Sequence, residues 1–130
     1  MDIFISLCSK RKFNLGCKLL VEDLYESERI DWFVEKCKEF GVEGRILSGK
    51  WGLLRFDDCI EYYDKYLERD EIDEMVERVK KKLKEEKKIS RVIYYGVRGR
   101  GLNYWVVVRR SCEELGIKVI YRDVSDKFES

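Results

Sequence analysis

Apolar residues along this chain switch repeatedly between two spacings, and that alternation excludes most architectures before any single residue is considered. DIFISLC (2–8) is a β-rich run and the first strand. Residues 17–40 hold a helix or two. Within YESERIDWFVEKCKEFG, Ile30, Phe33, Val34, Cys37 and Phe40 follow helical spacing, and Gly41 ends that helix. EGRILSG (43–49) is a short second strand. KWGLLRFDDCIEYYDKYL (50–67) reads as loop and short helix, rich in aromatic residues. From Asp70 to Lys88 the pattern is amphipathic, with Ile72, Met75, Val76, Val79 and Leu83 on one stripe and charge on the other faces. SRVIYYG (90–96) is a third strand, 102–115 a helix ended by Gly116, and IKVIYRDV (117–124) a fourth strand. The polar tail DKFES is expected to fray.

Strands that alternate with helices, with no two close enough for a tight hairpin, imply right-handed crossovers and parallel pairing. The expectation is one α/β domain over 1–130, three-layered and Rossmann-like. Its mostly parallel sheet has four or five strands. A strand order 2-1-3-4 makes the first strand central. The length suits one domain, and no internal linker, repeat or low-complexity segment interrupts it.

Charge sharpens this. Lys and Arg number 27 against 26 Asp and Glu, a net charge of +1, so anion binding has to be local rather than general. Charged residues make up 41% of the chain. Heavy Lys and Glu use resembles a heat-adapted composition, although the absence of Pro argues the other way. The chain has no His. That excludes His-based triads, Cys-His dyads and His-ligated metals, and leaves acid–base work to Asp, Glu, Lys, Cys or Tyr. No metal or cofactor is expected. The five cysteines, at 8, 17, 37, 59 and 112, show no C-x-x-C spacing. With no signal peptide they read as cytosolic thiols, Cys37 as core filler. No apolar run is long enough to cross a membrane, so the expected location is the cytoplasm.

In a doubly wound sheet the ligand lies beyond the carboxyl ends of the strands. After strand one stand Cys8-Ser9-Lys10-Arg11-Lys12; after strand two, Ser48-Gly49-Lys50-Trp51-Gly52; after strand three, Gly96-Val97-Arg98-Gly99-Arg100-Gly101. Each loop carries cations, and two carry glycines. Glycine turns let backbone N–H groups approach phosphate oxygens. A helix starting after Gly101 adds its positive end, and Arg98 and Arg100 suit bidentate contacts. The alternative is that these are solvated loops whose glycines serve only to turn. Cys8, near the cations, is either a nucleophile or the last inward residue of a buried strand. Ser9 either caps the next turn or donates to a phosphate. If residues 57–66 are helical, Asp57, Glu61 and Asp64 share a face. Glu61 and Asp64 then become candidate bases or ribose ligands, or partners of nearby cations. Tyr25, Trp51, Tyr63 and Tyr104 are candidates for stacking on a base, or else packing residues.

Three segments carry a resemblance. SLCSKRK (6–12), DLYES (23–27) and RILSGKWGLLRFDDCIEYYDKYL (45–67) resemble an uncharacterised domain family of bacteria, archaea and phages. Its motifs read C-S-x-x-K, L-Y-x-S, I-L-S-A-K-x-G-L-L and I-x-x-Y-D. The middle motif is also similar to the YaaA peroxide-stress family. Archaeosine synthase has a domain with a comparable C-S-x-x-K-P-Y run, a more distant likeness that touches residues 8–12 alone. Phe13 and Asn14 replace its P-Y, so its chemistry is not transferred. The resemblance covers about the first half of the chain. It implies a Rossmann-like fold in the metabolism or modification of nucleotides or nucleic acids. Its motif positions include Cys8, Ser9, Lys12, Tyr25, Ser48, Lys50, Gly52, Tyr63 and Asp64; Gly49 stands for the family's alanine.

The leading expectation is an enzyme-like domain that binds a phosphate-bearing nucleotide or nucleic acid at this rim. It would transfer or hydrolyse at a nucleoside or base without a metal. A second reading is a non-catalytic nucleic-acid-binding module. A third is a small interaction domain whose partner is an acidic protein or a second copy of itself, a homodimer.

Overall fold

The computed structural model describes residues 1–128, and Glu129 and Ser130 lie outside the described residues. Seven strands and four α-helices follow the chain. They are β1 (Asp2–Leu7), β2 (Leu19–Leu20), α1 (Val21–Leu24), α2 (Glu28–Phe40), β3 (Glu43–Ser48), β4 (Gly52–Arg55) and β5 (Cys59–Ile60). After a 3-10 turn at Arg69–Glu71 come α3 (Ile72–Lys84), β6 (Arg91–Gly96), α4 (Leu102–Glu114) and β7 (Lys118–Asp123). The main sheet has the order β4-β3-β1-β6-β7, and β2 and β5 form a small separate ribbon. β1 pairs in parallel with both β3 and β6, and β6 in parallel with β7. The expected order and the central first strand are therefore present.

Alternation within each strand makes the two faces. Ile3, Ile5 and Leu7 of β1, with Val92 and Tyr94 of β6, pack against the stripes of α3 and α4. Phe4, Ile93 and Tyr95 point the other way, towards α1 and α2. The helix ends are encoded locally. Ser27 accepts a hydrogen bond from the Ile30 N–H at the start of α2. Gly41, at φ 63°, supplies the left-handed turn that stops it.

Three expectations fail. The stretch after β3 returns at once as β4, antiparallel to β3, through a three-residue connection at Gly49, Lys50 and Trp51. A tight hairpin therefore does exist, and the sheet is mixed. The doublet Leu53-Leu54 hides this strand, because both faces of the sheet bury one leucine. Residues 61–68 follow an irregular path and are not helical. Tyr63 and Leu67 are buried one at a time along an irregular path, which leaves no helical period. Part of the tail is also anchored: Phe128 packs on Trp32, ring centroids 5.7 Å apart. Residues 129–130 of the tail lie outside the described residues.

Candidate functional site

An open cleft of about 1420 Å³ lies at the carboxyl end of β1, between the loop that follows it, the α1–α2 junction, residues 64–66 and the start of α4. Cys8 and Tyr104 stand in its wall. Cys8 continues the line of β1, its N–H bonded to the Leu47 carbonyl at 3.0 Å. Its thiol lies 3.7 Å from the Tyr104 hydroxyl, which also accepts the Leu67 N–H at 3.0 Å. Arg29 of α2 fixes the strand end from beneath. It donates to the carbonyls of Leu7 (2.9 Å) and Cys8 (3.0 Å) and to Ser6 Oγ (2.7 Å). A cation in the first turn of a helix opposes the macrodipole, so Arg29 is held there by these three acceptors. Burial lowers its pKa, opposed in turn by Tyr94 and Cys8.

Lys12 turns inward. Its Nζ donates to the Lys10 carbonyl at 3.0 Å and lies over the rings of Tyr63 (4.5 Å) and Tyr25 (5.8 Å). Burial lowers the Lys12 pKa, while Cys8 and Asp64 act against that. The two tyrosine hydroxyls are 2.5 Å apart, both side chains are buried, and Tyr63 is also bonded to Ser48. Burial raises both phenols well above their usual range, so each stays protonated at neutral pH.

The other half of the cleft is cationic. α4 begins at Gly101, φ 62°, with no side-chain cap and no acidic residue in its first turn. An added Cβ there would stand 2.3 Å from Leu7 Cδ1, so a glycine is needed for both conformation and space. Gly101 and Tyr104, at the start of α4, line the cleft, so the positive end of this helix lies beside it with no carboxylate in its first turn. Lys10, Arg11 and Arg100 line the same opening. Asp23, Glu26, Glu28 and Asp31 line the cleft as well, with Arg11 paired to Glu26 at 3.5 Å.

Of the residues singled out in the sequence, Cys8, Ser9, Lys10, Lys12, Tyr25, Asp64, Arg100, Gly101 and Tyr104 meet at this cleft. Ser9 spends its hydroxyl locally, donating to the Arg11 carbonyl at 3.0 Å. The second loop turns elsewhere. Ser48 accepts the N–H groups of Lys50 (3.1 Å) and Trp51 (3.0 Å). A Cβ on Gly49 would meet the Lys65 carbonyl at 2.6 Å and the Leu67 nitrogen at 2.8 Å, so its open side is already filled by backbone. The ammonium of Lys50 lies over the Trp51 ring, and the carbonyl of Lys50 accepts from Arg78 of α3. Gly52 has φ 78° and closes the hairpin. Lys50, Trp51 and Gly52 do not line the cleft.

In the third loop, Arg98 swings to the end of β7, its guanidinium 3.6 Å from Asp123. Gly96 makes room for Tyr94 and Tyr121, and Gly99 turns an exposed bend. The expected carboxylate face dissolves with the expected helix. Asp57 pairs with Arg55, Glu61 is exposed away from the cleft, and only Asp64 reaches it. Tyr63 lies behind Tyr25 rather than in the wall. Arg29, with three bonds to the end of β1, was missed by the sequence reading. The signal available for it was a cation in the acidic first turn of α2.

Cys37 and Cys112 are buried in the two cores, and burial pushes each thiol up to about 12. Among the described residues no group of three or more His, Cys, Asp or Glu is placed to hold a metal ion, and no helix is long and apolar enough to cross a membrane.

A family model described as "Family of unknown function (DUF6884)" matches residues 3–118. The match agrees with the uncharacterised domain family that the motifs pointed to. No curated protein and no solved structure matches the chain. The likeness to the YaaA family rests on the quoted motif alone.

Proposed function

We propose, from the premise that the chain belongs to this family of unknown function, that it binds a phosphate-bearing mononucleotide in the cleft and acts on it as a metal-independent transferase or hydrolase. The observation that supports this most is the start of α4. An uncapped helix end without acidic residues opens beside Lys10, Arg11 and Arg100, which is the arrangement an anion requires. Phe13 and Tyr66, both exposed, line the same cleft and offer faces for a base. The half-buried Cys8 in the wall is the candidate nucleophile, and Asp64 is the nearest of the expected carboxylates. Nucleotide or nucleic-acid metabolism is the setting in which such a ligand is met.

The mixed charge of the cleft favours a small ligand over a long polyanion. A nucleic-acid strand tracking the cations would also pass Asp23, Glu26, Glu28 and Asp31, and it would be repelled there. A non-catalytic nucleic-acid module is therefore the second reading. A thermal-shift screen against nucleoside mono-, di- and triphosphates and short oligonucleotides, at two salt concentrations, tests both. Stabilisation by one mononucleotide at both salts, reduced in Lys10→Ala and Arg100→Ala, is expected. Salt-sensitive stabilisation by oligonucleotides alone replaces this reading with the second. No response to either class removes both.

A further inference from the structure

We infer that Lys12 and Tyr104 serve the Cys8 sulfur rather than a phosphate, and that together they make Cys8 the reactive thiol of the cleft. The inference deepens the reading above and assigns roles to two residues whose types alone suggest other uses. Lys12 sits in the loop expected to bind phosphate, yet its ammonium is engaged within the protein. It is held by the Lys10 carbonyl and by the ring faces of Tyr63 and Tyr25. It lines the cleft together with Cys8 and Asp64, and the charged forms of both act against the lowering of its pKa by burial. The tyrosine pair beneath it fixes it further, because Tyr25 and Tyr63 are themselves locked by the short hydroxyl contact and by Ser48.

Tyr104 is almost fully buried, 2% exposed, although its ring belongs to the helix that starts the anion site. Its oxygen already accepts the Leu67 N–H. As drawn, the Cys8 S–H donates to that oxygen at 3.7 Å. Once the sulfur carries charge, the phenol O–H has it as an acceptor and donates back. Arg29 pins the successive carbonyls of Leu7 and Cys8, so the backbone that carries the sulfur is fixed beside these partners. A thiol placed among an ammonium, a guanidinium and a phenol in an open cleft has the surroundings of a nucleophilic cysteine.

In the step this implies, the thiol proton passes to solvent and the sulfur lone pair forms an S–C bond with an electrophilic carbon of the ligand. The bond from that carbon to the leaving group breaks. The leaving group departs with the electron pair and takes a proton from solvent. Water then displaces the sulfur: its hydroxyl stays on the carbon, its other proton goes to solvent, and the released thiolate is reprotonated from solvent, so the net change is hydrolysis. Lys12 and Tyr104 act through Cys8 and are positioning residues for the attack.

The test needs no substrate. The whole chain is labelled with limiting iodoacetamide at pH 7, and the alkylation rate of each cysteine is read by peptide mass mapping. Cys17 and Cys59, both exposed, are the internal reference. Cys8 is expected to react about tenfold faster than either, despite being less exposed. Lys12→Met should bring Cys8 to the reference rate, Lys12→Arg should restore much of the excess, and Tyr104→Phe should reduce it about threefold. Circular dichroism and a melting curve accompany each variant. If Lys12→Met does not fold, the comparison of Lys12→Arg with Tyr104→Phe carries the result. A Cys8 that reacts no faster than Cys17 and Cys59, or that keeps its full excess in folded Lys12→Met or Tyr104→Phe, overturns the inference. A fast Cys8 in a protein that no nucleotide stabilises leaves this inference standing and removes the ligand assignment. Nucleotide binding with an ordinary Cys8 does the reverse.

Discussion

Two strand-end loops look alike in the sequence and differ in the structure. Cys8-Ser9-Lys10 follows β1 and Ser48-Gly49-Lys50 follows β3; both place a serine and a lysine after a buried strand. The second loop has consumed its own binding capacity. Its serine accepts two N–H groups of the turn and bonds Tyr63, its glycine is covered by the backbone of residues 65–67, and its lysine carbonyl is held by Arg78. The first loop spends less. Its serine makes one local bond, and the thiol and cations beside it face the cleft. What separates a candidate site from a structural turn is therefore which groups remain for an outside partner.

The largest expected effect breaks the structural loop. Gly49→Ala drives a methyl group into backbone that cannot swing aside, and should destabilise the fold by about 3 kcal/mol in denaturant titration. Ser48→Ala leaves the turn N–H groups and Tyr63 without their acceptor and donor, and should cost about 2 kcal/mol by the same measurement. The first loop should respond in the opposite sense. Lys10→Ala should leave stability within about 0.5 kcal/mol and weaken binding of the mononucleotide found in the screen by about tenfold, measured by calorimetric titration. Lys50→Ala should do least, changing neither the melting temperature by more than about 2 °C nor the ligand affinity. A loss of affinity in Lys50→Ala equal to that in Lys10→Ala would erase the distinction between the two loops.

The parts of the fold that could be read from the sequence were those with a period. Buried parallel strands such as DIFISLC and SRVIYYG are near-continuous apolar runs, and the stripe from Ile72 to Leu83 fixed α3. The hairpin could not be read, because Leu53 and Leu54 enter two different cores from adjacent positions. Nor could residues 61–68, where Tyr63 and Leu67 anchor an irregular path singly. The site was legible as a rim and not as a set of partners. Lys10, Lys12, Arg100 and Cys8 converge because their strands are parallel neighbours and their loops open together. Arg98 and Lys50 do not converge, because Asp123 and the hairpin turn claim their neighbourhoods. Arg29 was invisible, since its acceptors are main-chain carbonyls that no side-chain motif announces.

The central place of β1 also sets an order of events during synthesis. Its two partners arrive late: Ile3 faces Glu43 on one side, and Asp2 faces Arg91 on the other. Cys8, Ser9 and Lys10 are thus synthesised before both strands that house them. Until β6 and the start of α4 have emerged, Cys8 stands at the end of an apolar segment with one edge unpaired. A truncated chain that stops before Gly96 keeps the whole C-S-x-x-K motif and has no cleft in which to display it.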